Sequence, residues 1–211
     1  MLGDELFELL PANLREKYLS QPVVQSDLAR LLVLRDRLQG GRYSRVVWCD
    51  ADVLIFTDFD LGNERETFAR ECWVQLDKGR LRSYRKVHNA WMLFTARSSV
   101  LPFYIDRAIQ LLAAAKAPVV PQLIGPKLLT AWHNISPFSV DERIGMLSPI
   151  VLRALLHNEA DPLDLLHRGH TGSLCALNLS ASCEGREVDG VRLDENDYLQ
   201  AIDALRAGHL A

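Results

Sequence analysis

The apolar positions of this chain repeat with two different periods. Val46-Val47-Trp48-Cys49 is an unbroken apolar run with two β-branched residues, which reads as a short strand buried on both faces, as in the core of a parallel sheet. Asp50-Ala51-Asp52 follows at once, and a second apolar run, Val53 to Phe56, returns to the core. Upstream, Leu28, Leu31, Leu32, Leu34 and Leu38 recur at helical spacing, with a start marked by Ser26 and a stop at Gly40-Gly41. Gly3 to Ser20 predicts two short helical pieces split at Pro11. Asp58-Phe59-Asp60 reads as a loop. Glu66 to Leu76 and Arg80 to Lys86 predict a hairpin turning at Asp77-Lys78-Gly79, and Asn89 to Phe94 a separate buried strand. A long helix is predicted over Ser98 to Ala115 and a short one over Lys127 to Trp132. A last strand follows at Ile144 to Leu147, then helices at Ser148 to His157 and Asp194 to Ala207, with His167 to Ser173 as a loop between them.

The two aspartates carry the chemistry. Separated by one residue, they point the same way if the chain is extended, and at the C-terminal end of a strand that direction is the ligand crevice of an open α/β sheet. Two adjacent carboxylates repel each other unless a cation lies between them, and a divalent ion with oxygen ligands is the natural occupant.

Composition narrows the class. The 211 residues, 48% hydrophobic and 24% charged, are those of an ordinary globular chain, and a single domain over 1–211 is expected. A net charge of -3 without like-charge blocks gives no footprint for nucleic acid or a membrane surface. Cys49, Cys72, Cys175 and Cys183 have no metal-finger spacing, so buried free thiols and a cytoplasmic address are expected. No apolar run reaches the roughly 20 residues of a membrane helix, and no signal peptide opens the chain. Asn134-Ile135-Ser136 and Asn178-Leu179-Ser180 fit the glycosylation pattern but are read as chance matches.

Taken in order, Ser26-Asp27-Leu28-Ala29-Arg30, Gly40-Gly41 with Tyr43, and the strand ending in Asp50-Ala51-Asp52 resemble the metal-dependent glycosyltransferases of the GT-A fold, in particular the DXD group that includes capsule-type enzymes. Asn89-Ala90 and Gly125-Pro126 with Leu128-Leu129-Thr130 fall in the same order, so the resemblance spans about residues 26–133, leaving 134–211 as an acceptor or closing region. It implies a GT-A-like (Rossmann-like) α/β fold with a mixed, mainly parallel sheet flanked by helices. It further implies transfer of a sugar from a UDP- or GDP-sugar, with Mn2+ or Mg2+ as cofactor, to an unknown glycan, lipid or protein. Asp52 would be the direct metal ligand, and Asp50 would reach ribose or sugar hydroxyls and the metal's waters. Asp27 and Arg30 would bind the donor sugar in the same crevice, and Asn89 the sugar or acceptor. A third metal ligand is expected from a C-terminal loop, with His170 chosen over His167 and Ser173.

The family's sheet begins with a strand upstream of the S-D-x-x-R helix, whereas 25 residues precede Ser26 and none reads as a strand; a βαβ unit needs about 30. The chain is therefore expected to lack the usual first strand, as a shortened enzyme, one completed by a partner, or a non-catalytic remnant, and to self-associate along an uncovered edge. A haloacid-dehalogenase-like phosphatase is the rival enzyme reading, with Asp50 as nucleophile and Asp52 as acid/base; Asp60 and Asp141 are poorly placed to complete its metal site. Without catalysis, the chain would be a GT-A-like binding module.

Overall fold

A computed structural model describes residues 4–210, with the side chain of Asp4 excepted. Gly3, where the first helical piece was predicted to begin, lies outside them. In chain order the elements are a 3-10 turn at Asp4–Leu9, α1 (Ala12–Lys17), α2 (Pro22–Gln39), β1 (Arg45–Cys49), β2 (Val53–Ile55), β3 (Glu66–Asp77), β4 (Arg80–Thr95) and α3 (Val100–Ala114). A π-helical turn at Leu123–Lys127 leads into α4 (Leu128–Ile135). Then come β5 (Val140–Asp141), β6 (Ile144–Met146), α5 (Pro149–His157), α6 (Ala160–Arg168), β7 (Ala176–Asn178), a 3-10 turn at Ala181–Cys183, β8 (Glu187–Val188), β9 (Val191–Arg192) and α7 (Glu195–Arg206). The mixed α/β class expected from the sequence holds.

The sheets are not mainly parallel. One has the order β1-β4-β3-β5, another β2-β7-β6, and β8 pairs with β9. β3 and β4 form a hairpin whose turn residues Lys78 and Gly79 have φ of 51° and 76°, the double positive-φ turn that matches strand twist. Ala96 N–H donates to Ser44 C=O at 3.0 Å and Asp50 N–H to Ala90 C=O at 2.7 Å, an opposed order that makes β1 antiparallel to β4. β2 is antiparallel to β7, and β6 runs parallel to β7. Two-residue turns can join antiparallel strands only, which accounts for the β3–β4 and β8–β9 pairs, while β1/β4 and β2/β7 are antiparallel pairings of segments distant in sequence.

β1 is an edge strand. Val47 is 39% exposed and Cys49 is also exposed, with Val46 and Trp48 half-buried, so the expectation of a strand buried on both faces fails. An apolar run cannot by itself separate a central strand from an edge. β4 is one continuous strand in place of the two predicted, and α2 starts at Pro22, which suits the first turn of a helix, so Ser26 lies inside it.

The chain divides into two compact units. The first comprises Met1–Trp48, Asn63–Phe68 and Met92–Ser139. Its core holds Leu28, Leu31, Leu32, Phe68, Phe94 and Tyr104, and Phe68 meets Phe94 edge to face with ring centroids 5.5 Å apart. Long side chains tie the N-terminal helices to the far end of α3 and beyond: Tyr18 OH donates to Leu112 C=O at 2.8 Å, and Gln21 Nε2 donates to Val119 C=O at 2.7 Å.

The second unit comprises Cys49–Gly62, Ala69–Trp91 and Val140–Ala211. Leu147, Val151, Leu155, Leu166, Leu177 and Ala201 form its core with Cys72 and Val74. Gly169 ends α6 so close to Cys72 that a Cβ there would lie 2.1 Å from its sulfur, and only glycine fits. α7 opens on a reciprocal cap, in which Asp194 accepts from Asp197 N–H and Asp197 accepts from Asp194 N–H. β7 and α6, neither anticipated from the sequence, are central to this unit.

Candidate functional site

Asp50 and Asp52 stand where β1 gives way to β2. Val53 N–H donates to Asp50 C=O at 3.1 Å, closing a four-residue turn, so the two aspartates are not in extended chain and the argument from alternating side-chain direction does not apply to them. Asp52 is half-buried. Its Oδ1 accepts from Asn178 Nδ2 at 2.7 Å, and its Oδ2 from the backbone N–H of Ala181 at 3.1 Å. Both donors are neutral, so they orient the carboxylate without cancelling its charge.

That charge is felt around it. Burial first, then Asp50 and Asp52, pushes the Cys49 thiol up. Cys183 is raised by burial and by Asp52, against lowering by Ser182 and Arg186. The Tyr198 phenol is pushed up to about 12 by burial, with Cys183, Glu184 and Asp52 adding to it. All four cysteines are free; Cys49 is exposed and Cys183 half-exposed, so burial holds for Cys72 and Cys175 alone.

Asp27 and Arg30 lie on α2 in the first unit. They form a local ion pair, Arg30 Nη2 to Asp27 Oδ1 at 3.2 Å, and it is buried: the two residues are 6% and 8% exposed. The Arg30 guanidinium also lies over the Trp48 ring, 5.3 Å from its centroid. Tyr104, fully buried nearby, has its phenol raised well above the ordinary range by burial and by Asp27, against lowering by Arg30, and donates to Ile124 C=O at 2.6 Å.

Asn89 is buried within β4 and does not open a strand as expected. His170 belongs to a different cluster of the second unit. Its Nδ1 faces Glu142 C=O at 2.8 Å, which fixes the proton on that nitrogen, and its buried Nε2 has no hydrogen-bond partner among the described residues. Glu142 Oε1 accepts from Arg70 and Arg85, each at 2.9 Å. Burial, with Arg70 and Arg85 in support and Glu142 opposing, holds His170 below its usual range.

Among the described residues no three His, Cys, Asp or Glu side chains are placed to hold a metal ion, so Asp50, Asp52 and His170 do not form the expected three-ligand set. The reason is local: His170 is turned into the Glu142 cluster by its own hydrogen bond. The oxygen donors of the aspartate turn still suit a hard cation, because magnesium and manganese are commonly held by one or two carboxylates and complete their shells from phosphates and water. For the phosphatase reading, Asp141 is held by Arg143 at 2.7 Å and Asp60 accepts from Gly62 N–H at 3.1 Å, and among the described residues neither joins Asp50 and Asp52 in a metal-holding group.

Asn178, Ala181 and Tyr198 escaped the sequence reading. In the sequence Asn178-Leu179-Ser180 fits only a glycosylation pattern, and nothing in spacing says that a residue 126 positions away meets Asp52. Comparison with known proteins finds no matching family model, no matching curated protein and no matching solved structure. Residue chemistry alone carries the functional argument.

Proposed function

We propose that the chain is a metal-dependent glycosyltransferase acting on a nucleotide-sugar donor. The observation that carries this reading is the carboxylate of Asp52, set in a turn at a strand end and held by neutral N–H donors that leave its charge available to a cation. Asp52 would hold Mn2+ or Mg2+ directly, with Asp50 reaching ribose or sugar hydroxyls and the ion's waters. The ion supplies positive charge that offsets the negative charge appearing on the departing nucleotide. The free thiols fit a reducing compartment. No helix of the described residues is long and apolar enough to cross a membrane.

The test is calorimetry with uridine and guanosine diphosphates, with and without manganese, followed by an assay of donor hydrolysis. Metal-dependent nucleotide binding supports the transferase. Binding of neither nucleotide nor metal overturns it.

A further inference from the structure

We infer that Asn178 is a positioning residue for Asp52, aiming its carboxylate at the cation; this rests on the metal reading above. Asn178 is 4% exposed and sits on β7, the middle strand, opposite Val53 of β2 and Met146 of β6. Its backbone is thereby fixed from both sides. The direction of its amide is settled by its partners, since Oδ1 accepts from Ser180 N–H at 2.8 Å and the reverse orientation would set two donors against each other. Nδ2 therefore faces Asp52 Oδ1 at 2.7 Å.

The second donor is braced just as firmly. Ser180 has φ of 54°, an uncommon conformation for a residue with a side chain. It is held there by Oγ donating to Leu147 C=O at 2.7 Å and by Tyr198 OH donating to its own C=O at 3.2 Å. This conformation delivers Ala181 N–H to Asp52 Oδ2 at 3.1 Å. One donor on each oxygen fixes the plane of the carboxylate and leaves each oxygen a further lone pair for an ion. A cationic side chain in the place of Asn178 would compete with that ion; a neutral amide does not.

Manganese binding, read by water-proton relaxation, and thermal melting with and without manganese are measured on the full chain and on Asp52→Ala, Asn178→Ala and Asn178→Asp. Asn178→Ala is expected to weaken manganese binding about 10- to 100-fold, the usual cost of losing a partner that orients a metal ligand. Asn178→Asp keeps the shape and the bond from Ser180 but turns a second carboxylate toward Asp52. It is expected to melt lower than the parent without metal and to gain more in melting temperature from manganese. If Asn178→Ala is unfolded at the assay temperature, the Asn178→Asp comparison decides alone. Parent-like manganese affinity and manganese-induced stabilisation in the Asn178 variants, with binding abolished by Asp52→Ala, would overturn the positioning role and leave the metal reading standing. No relaxation enhancement in the parent overturns both.

Discussion

Two aspartates of this protein are held in opposite ways. Asp27 is buried against Arg30, a cation three residues along the same helix, and its charge is spent within the fold. Asp52 is half-buried and, among the described residues, accepts from the neutral N–H groups of Asn178 and Ala181. Burying a charge is tolerable only when it is paired, whereas a carboxylate near solvent can be oriented by amides and keep its charge for another partner. The comparison separates an acid that serves the fold from one whose arrangement suits binding.

The largest expected effect tests the first half of that contrast. Asp27→Ala removes the carboxylate paired with Arg30 at a site 8% exposed, and loss of one member of a buried pair costs roughly 3–5 kcal/mol. Urea unfolding of Asp27→Ala beside Asp27→Leu with Arg30→Met sharpens it: the double replacement should recover most of the loss, because an apolar pair carries no uncompensated charge. A cost for Asp27→Ala as small as that of a surface pair, below about 1 kcal/mol, would break the comparison.

Next in size, Asp52→Asn should reduce manganese affinity by more than about 100-fold, beyond the effect of losing an outer partner, while shifting stability by only about 1 kcal/mol. Relaxation titration and urea melts of the same sample separate the two. A large stability loss with unchanged manganese binding would place Asp52 alongside Asp27 as a structural acid.

His170 extends the contrast to a base. Its ring is buried beside Arg70, Arg85 and Glu142, and its folded-state pKa is lowered. The unfolded chain therefore takes up this proton first as pH falls, so the stability tied to neutral His170 is complete above its ordinary value of about 6.5 and is lost as pH falls from there toward the folded value. Subtracting the curve of His170→Gln from that of the parent should leave a slope of no more than about 1.4 kcal/mol per pH unit in that window. The subtraction matters because Glu71, raised chiefly by burial against Lys86, titrates in the opposite sense. A difference curve flat below pH 6.5 would mean that His170 is not held neutral.

The smallest effect uses Cys49 as a reporter. On this exposed residue the thiol is raised by partial desolvation and by Asp50 and Asp52, so a cation at the aspartate turn should lower it and speed reaction with a disulfide reagent by about 2- to 5-fold at neutral pH. Buried Cys72 should not respond.

Helical periodicity located α2, α3, α5 and α7, and the Lys78-Gly79 turn located the first hairpin, because these signals lie within a few residues of one another. The Asp27–Arg30 pair was legible for the same reason, being three residues apart on one helix. Its burial was not, since Leu and Arg spacing gives the direction of a face but not what covers it. β1 failed in a similar way: four apolar residues predict a strand, yet its place at the edge depends on which strands pair beside it. β7 was missed because Ala176-Leu177-Asn178 holds no β-branched or aromatic residue, the composition that marks a strand.

By itself, the sequence determined the carboxylate pair, the helix that carries Asp27 and Arg30, and the hairpin, all of them consequences of local backbone geometry and nearby side chains. Tertiary structure alone decided that β1 lies at a sheet edge, that His170 turns to Glu142, and that Asn178 meets Asp52 across 126 residues. Such contacts follow from strand pairing between distant segments, where register fixes the partner and no local pattern along the chain records it.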